Sequence, residues 1–406
     1  MKILLAHKFF FQQGGAEVFF FETGKVLEAH GHDVAYFSTR DERNRESPYA
    51  RFFVSPPQYE RGNFVRRAAS LIRVVYSREA KRKFKELLDF FKPDIVHMFH
   101  IYVHLSPSIL DACRESGIPV VMSCNDYKHI CPNYKLFFKG SLCEDCQGKK
   151  FYHAVFNRCC QDSIAYSLAS CLEAYAHRFW DSYRKNIRTF LFASEFMAQK
   201  TQQFWGADTF RWRLLRNPFN SERASVSLES DDYFLFLGRL IEEKGVKILL
   251  EAMRLLPEKK LIVIGEGPQR KELETLKKNY QLDQVHFIGS KWGHELVEFL
   301  SRARFIAVPS IWHENLPYVV LQAFAAGKPV IGSDRGGIPE LVHHGEHGLI
   351  YRAEDAEALA AGIQELWDNP ARTLEMGARA RQFVVREFNP DVFYDGLMKV
   401  YAEVLP

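Results

Sequence analysis

Long apolar runs are missing from this chain. Nowhere in its 406 residues is there a stretch approaching the roughly 18 apolar residues that a membrane-spanning helix needs. The opening run Ile3-Leu4-Leu5-Ala6 is also shorter than the roughly 7–15 residues of a signal-peptide core, so it reads as a first buried strand. Strong net charge is missing too. Lys and Arg number 54 against 50 Asp and Glu, a formal +4, which argues for no nucleic-acid partner. Short repeats and low-complexity tracts are absent. With 47% hydrophobic and 26% charged residues the composition is ordinary for a globular protein, which excludes disordered and fibrous classes. The expected location is cytoplasmic, free or peripheral at the inner face of the membrane. There cysteines are thiols or metal ligands rather than disulfides.

What is present is a rhythm. Strands are predicted at 3–7, 34–37, 95–98, 119–122 and 189–193, with helices at 16–30, within 64–91, near 108–116 and near 165–183. Residues 217–232 are polar, contain Pro218 and lack periodicity, so they read as a linker. The alternation restarts with strands at 233–237, 261–264, 285–288, 305–308 and 329–331, and the chain closes on a helix at 390–405. This predicts an α/β protein of two doubly wound, Rossmann-like domains. The expected division is 1–216, interrupted by a Cys-rich insertion at 124–160, then the linker, 233–388, and a C-terminal helix 389–406 returning to the first domain. Ligands of such folds sit beyond the carboxyl ends of the strands, here in a cleft expected between the two sheets.

In the second half, Gly238-Arg239-Leu240 follows a strand, and Glu243-Lys244-Gly245 precedes a helix. Arg offers a planar fork to phosphate oxygens, Lys a point charge, and a helix start adds free amides. The alternative is a pair of solvated surface cations. Gly265-Glu266-Gly267-Pro268 sits where a phosphate loop would, but Arg270 stands where a dinucleotide fingerprint needs Gly or Ala. A longer run follows, Ser310 through Glu314-Asn315-Leu316-Pro317 and Gln322 to Gly327-Lys328-Pro329-Val330, then Gly336-Gly337-Ile338-Pro339-Glu340. It places Glu314 in a loop at the mouth of a helix and Gln322 on that helix.

Taken together and in this order, these motifs resemble the C-terminal domain of the retaining glycosyltransferases of family 4, which have the GT-B fold. The resemblance implies transfer of a sugar from a nucleoside-diphosphate sugar, UDP favoured, to a saccharide or lipid-linked acceptor. It implies that Arg239 and Lys244 hold the diphosphate without a divalent metal and that Glu314 meets the donor sugar. It also places Gly14, Gly15, Gly238, Gly265, Gly267, Asn315, Leu316, Pro317 and Gln322 around the donor. Relatives carry Glu where this chain has Gln322, which keeps one carbonyl acceptor for the ribose but loses the charge.

In the first half, Gly14-Gly15-Ala16-Glu17 opens a helix after the first strand, as a ligand-approach loop or simply as a tight turn. His100 and Asn125 are expected at strand ends facing the cleft, whereas His97, inside its strand, reads as a core residue. Relatives read His at the position of Asn125. An amide can orient but cannot act as a general base. These two departures keep open a catalytically silent scaffold or sugar-nucleotide-binding protein, and an epimerase, as alternatives.

Six of the eight cysteines lie between Cys124 and Cys160. Cys143 and Cys146, at knuckle spacing with Cys131 and Cys159, suit a tetrahedral structural zinc. Cys160 or Cys124 could replace one of them, with His129 and His153 as substitutes, and free thiols, a disulfide or an iron–sulfur cluster remain alternatives. Finally, residues 61–85 carry nine Lys or Arg and one Glu among apolar residues. That pattern fits contact with an anionic membrane, or equally a solvated helix face.

Overall fold

The computed structural model describes residues 1–56, 73–227 and 230–405. The chain forms two compact units. The first comprises 1–136, 144–218 and 393–406, and the second 137–143 and 219–392.

The first unit is built on a parallel sheet. In chain order its strands are β1 (Lys2–Ala6), β2 (Asp33–Phe37), β3 (Ile95–Met98), β4 (Val120–Cys124), β7 (Thr189–Phe192) and β8 (Trp212–Leu214), in the spatial order β2-β1-β3-β4-β7-β8. Every residue of β3, β4 and β7 is buried, as a sheet covered on both faces requires. The strand order reverses beside β1, because β2 lies on one side and β3 on the other. Two small strands, β5 (Phe137–Phe138) and β6 (Ser141–Leu142), form a separate antiparallel hairpin.

The second unit repeats the plan with β9 (Phe234–Leu237), β10 (Leu261–Ile264), β11 (Val285–Phe287), β12 (Ile306–Val308), β13 (Val330–Ser333) and β14 (Gly348–Tyr351). Its order is β11-β10-β9-β12-β13-β14, all parallel. This is the dinucleotide-fold arrangement, whose reversal falls between β9 and β12. The doubly wound architecture is therefore as expected. Four short strands escape the sequence pattern: the hairpin pair β5 and β6, β8 at an edge of the first sheet and β14 at an edge of the second.

The terminal helix Pro390–Val404 contributes Phe393, Leu397, Val400 and Tyr401 to buried positions. Residues from Phe393 onward belong to the first unit. Tyr401 Oη lies 2.8 Å from Nδ1 of His97, whose Nε2 lies 2.8 Å from Ser123 Oγ. His97 is thus a satisfied core histidine, and burial lowers its pKa to about 3.

Two expectations find no support in the described residues. The first concerns the Cys-rich segment, which was expected to hold a structural zinc. In fact Tyr127, Ile130, Cys131 and Leu136 join the main core of the first unit, while Cys146, Phe151, Ala154 and Cys171 form a second cluster against which Cys159 packs. Cys131 Sγ donates to Asn133 Oδ1 at 2.9 Å, and Cys143 is half-buried. Among the described residues, the group of three potential ligands with atoms all within 4.8 Å is His343, Glu346 and His347, none of them a cysteine. Sulfurs around one zinc would lie about 3.8 Å apart at the usual bond length, so zinc on Cys131, Cys143, Cys146 and Cys159 finds no support in this geometry.

The second concerns the basic segment 61–85. Positions 61–72 fall outside the described residues. The helix Arg78–Phe91 starts at Ser77, whose hydroxyl accepts from the Ala80 amide, and buries Ala80, Phe84, Leu87, Leu88 and Phe91. Phe84 meets Phe37 edge-on at 4.8 Å. Two of its five cations are in ion pairs, Lys81 with Glu115 at 2.6 Å and Arg82 with Glu86 at 2.5 Å. The described part is a helix that packs one face on its own core. Among the described residues no helix is long and apolar enough to cross a membrane.

Candidate functional site

In the second unit the ends of β9 and β12, the two strands at the reversal, carry the chemistry. After β9 the chain runs through Gly238 and the exposed Arg239, then a short 3-10 turn Glu242–Lys244, into the helix Val246–Met253. After β12 it runs through buried Ser310 to Glu314 and Pro317, which caps the helix Tyr318–Ala325.

These two segments meet at one ion pair. Lys244 Nζ donates to Glu314 Oε1 at 2.5 Å, and Ser310 Oγ donates to the same oxygen at 2.7 Å. The Glu314 side chain is 7% exposed and that of Lys244 21%. Burial alone would raise the Glu314 pKa, but the Lys244 ammonium and the Ser310 hydroxyl outweigh it and hold the group below its ordinary value. Lys244 also lies 6.0 Å from the centre of the Trp312 ring. Arg239, by contrast, makes no ion pair with any described residue. The arrangement leaves one cation half-buried against a carboxylate and one held out in water beside the same strand end.

Backbone contacts fix the position of Glu314. Gly337 N–H donates to the Glu314 carbonyl at 2.8 Å. Gly336 has φ +61°, and a Cβ there would stand 2.1 Å from that carbonyl oxygen. Only glycine allows this approach. The Gly336-Gly337 pair therefore holds the Glu314 loop as well as opening the short helix Ile338–Leu341. Gly265 and Gly267 have a comparable role, since a Cβ on Gly265 would lie 1.8 Å from Gly238 O and one on Gly267 2.3 Å from Leu240 O. These glycines serve close packing onto the Gly238–Leu240 segment. Leu316 and Pro317 are buried, while Asn315 and Gln322 are half-buried, Gln322 on the helix.

The first unit gathers a second constellation at the carboxyl ends of β1, β3 and β4. His7 follows β1, His100 follows β3 and Asn125 follows β4. The imidazoles of His7 and His100 stack with centroids 5.5 Å apart. His7 Nε2 lies 3.7 Å from Glu17 Oε1, and Glu17 Oε2 accepts from the exposed Gly14 amide at 2.8 Å. His100 Nε2 lies 3.6 Å from Asp126 Oδ2. Burial holds both histidines well below the ordinary imidazole value, helped for His7 by His100 and for both by Lys8, and burial raises Asp126. Buried His7 Nε2, His100 Nε2 and Asn125 Nδ2 have no hydrogen-bond partner among the described residues. Buried polar atoms are nearly always satisfied, so a group of unpaired ones marks where a ligand or water belongs. Gly14 and Gly15 open the helix Gly15–Ala29 at this edge.

The structure thus brings Lys244 and Glu314 into contact, with Arg239 on the same strand end as Lys244, and separately gathers Gly14, His100 and Asn125. Sequence reasoning missed His7, Glu17, Asp126 and Ser310. His7 stands immediately after a predicted strand and Asp126 immediately after Asn125, which was the available signal. The contacts of Glu17 and Ser310 are visible only in three dimensions.

Comparison with known proteins decides what this double arrangement belongs to. Residues 13–223 match the sequence family described as Glycosyltransferase Family 4, more than half of the chain. The chain belongs to glycosyltransferase family 4. Residues 219–383 match Glycosyl transferases group 1, so the two family regions meet where the second unit begins. The chain is 36% identical over 164 residues to a putative colanic acid biosynthesis glycosyltransferase of Salmonella typhimurium, covering 38% of this chain and 40% of that protein. It is 32% identical over 176 residues to an amylovoran biosynthesis glycosyltransferase of Erwinia amylovora, covering 41% and 43%. The matches thus span about two fifths of these relatives' length. Among solved structures, a sucrose-phosphate synthase from Thermosynechococcus elongatus superposes with TM-score 0.72 at 20% identity over 99% of this chain and 98% of that one. HepE of Anabaena, solved in complex with UDP, gives TM-score 0.66 at 15% identity over 99% and 100%. These likenesses establish the family's GT-B fold.

Proposed function

We propose that this chain is a glycosyltransferase that moves a sugar from a nucleoside-diphosphate sugar to a saccharide or lipid-linked acceptor. The observation that carries the reading is the contact between Lys244 and Glu314 at the strand reversal of the second unit, with unpaired Arg239 beside it. Leaving of a nucleoside diphosphate develops negative charge on phosphate oxygens. Two cations placed there in advance stabilise that charge without reorganisation, which is why we propose that no divalent metal is needed for the step. In this role Arg239 grips the diphosphate through its fork. Lys244 divides its three N–H donors between the phosphate and Glu314. Glu314, ionised and oriented by Ser310, faces the donor sugar. Half-buried Gln322 offers its amide oxygen to the ribose. Asn315, Leu316, Pro317, Gly238, Gly265 and Gly267 complete the surroundings of the donor.

Uridine is favoured as the base, and the crystallisation of HepE with UDP supports that choice. Retention of anomeric configuration is proposed on the family resemblance. On the acceptor side, the unpaired atoms of His7, His100 and Asn125 form the polar surface we assign to an incoming hydroxyl. Burial keeps both histidines neutral at pH 7, so they orient the acceptor as neutral donors or acceptors of hydrogen bonds. The test is incubation with a panel of nucleotide sugars, with and without chelator, and measurement of released nucleoside diphosphate. Release that persists in chelator supports the reading. Binding without release from any donor would favour a silent sugar-nucleotide-binding protein, the alternative that Gln322 and Asn125 raise.

A further inference from the structure

We propose that the helix Ile164–Phe179 of the first unit is a docking helix that lies on an anionic lipid surface. Its N-terminus is capped by the Ser163 hydroxyl. One face is anchored inward: Cys171 sits in the cluster with Phe151 and Ala154, Glu173 pairs with Lys128 at 2.8 Å, and the His177 ring lies 2.9 Å from the Val75 carbonyl. The opposite face carries Ile164, Leu168, Leu172, Tyr175 and Phe179, which are 52, 46, 55, 37 and 86% exposed. Their spacing of four, four, three and four residues is one helical stripe. Phe156, 79% exposed, lies on the neighbouring short helix, and Trp180, 45% exposed, ends the stripe. The helix is thus amphipathic with its apolar stripe turned to water, the reverse of the usual arrangement.

Two observations select the occupant. The first is charge. Exposed Lys149 and Lys150 precede the short helix, exposed Arg158 follows it, and Lys185 lies beyond the stripe's end. From 147 to 188 the sequence has seven Lys or Arg against three Asp or Glu. Of the three acids, Glu173 and Asp181 are already paired, with Lys128 and Arg184. Aromatic and aliphatic side chains along one helical face, flanked by cations, suit the headgroup boundary of an anionic bilayer. The second is size. Fifteen helical rises span about 22 Å, and at about 10 Å of helix width the strip is roughly 220 Å². A stable dimer needs roughly 800 Å² on each partner, so a second copy is the poorer fit. This inference rests on the surface alone and fails or stands independently of the donor-site reading.

The full chain should co-sediment with vesicles containing 30% phosphatidylglycerol in phosphatidylcholine far more than with phosphatidylcholine alone. Leu168→Asp with Leu172→Asp should reduce partitioning about tenfold or more, with only a small fall in the thermal unfolding midpoint because each side chain is about half exposed. Lys149→Glu with Lys150→Glu should lose only the preference for anionic vesicles. Wild-type protein that binds neither vesicle overturns the proposal, as does binding that survives the double aspartate variant. So does light scattering that shows a dimer dispersed by Leu172→Asp in protein that ignores lipid, since the face would then belong to a second copy.

Discussion

Removing Lys244 should cost more stability than neutralising its partner, and the reason lies in the unequal exposure of the pair. Breaking a buried ion pair from one side costs about 3–5 kcal/mol because the remaining charge is stranded. Lys244→Ala strands the Glu314 carboxylate, 7% exposed, with one hydroxyl donor left at 2.7 Å. Lys244 itself is 21% exposed, so water takes some of its place, and about 2–3 kcal/mol is expected. Glu314→Gln keeps an oxygen for Ser310, and the lysine can swing into solvent, so about 1 kcal/mol is expected. For a unit of this size each kcal/mol moves the midpoint by about 2–4 °C. Calorimetry should therefore show a fall of about 4–12 °C for Lys244→Ala in the transition of the second unit, and a clearly smaller one for Glu314→Gln. The sign with pH follows from Glu314. Its folded-state pKa is held below the ordinary 4.5, so the pair's contribution is present above that value and is lost as pH falls through the folded pKa. The Lys244→Ala penalty should shrink accordingly on acidification. An equal or larger loss for Glu314→Gln, or a penalty that does not change down to pH 3.5, would refute the reasoning.

Other outcomes follow from the same geometry. Arg239→Ala should leave thermal stability unchanged, since that side chain is exposed and makes no ion pair with a described residue, yet lower the transfer rate about 10²-fold or more. Gln322→Glu should keep or tighten nucleoside-diphosphate affinity by titration, because a carboxylate can accept from both ribose hydroxyls. A large loss would mean that the helix Tyr318–Ala325 does not face the ribose. Gly336→Ala should destabilise by more than about 1 kcal/mol through both its positive φ and its clash with Glu314 O, and should reduce transfer with it.

Much of the fold was readable because its strands are buried on both faces and so form short apolar runs bounded by turn residues. β8 and β14 were not. Trp212-Arg213-Leu214 is a three-residue edge strand with a charge in the middle, and Gly348–Tyr351 follows the turn Gly345-Glu346-His347 with no alternation of its own. The Cys-rich segment was misread because its apolar residues, Tyr127, Ile130 and Leu136, are too irregularly spaced to show periodicity, although all three enter the core. At the site, the residue types in the Arg239, Lys244 and Glu314 motifs were legible, and their contact was not, since Lys244 and Glu314 are joined only by the neighbouring positions of β9 and β12. The His7–His100 stack was invisible for the same reason, as it depends on β1 lying beside β3.

The central claim is that the end of β9 cradles a nucleoside diphosphate, and calorimetric titration of UDP and GDP into the full chain tests it most directly. Wild-type protein should bind at least one of them, UDP in preference, and Arg239→Ala and Lys244→Ala should each weaken that binding about tenfold or more. No binding by the wild-type chain, or unchanged affinity in both variants, would contradict the account.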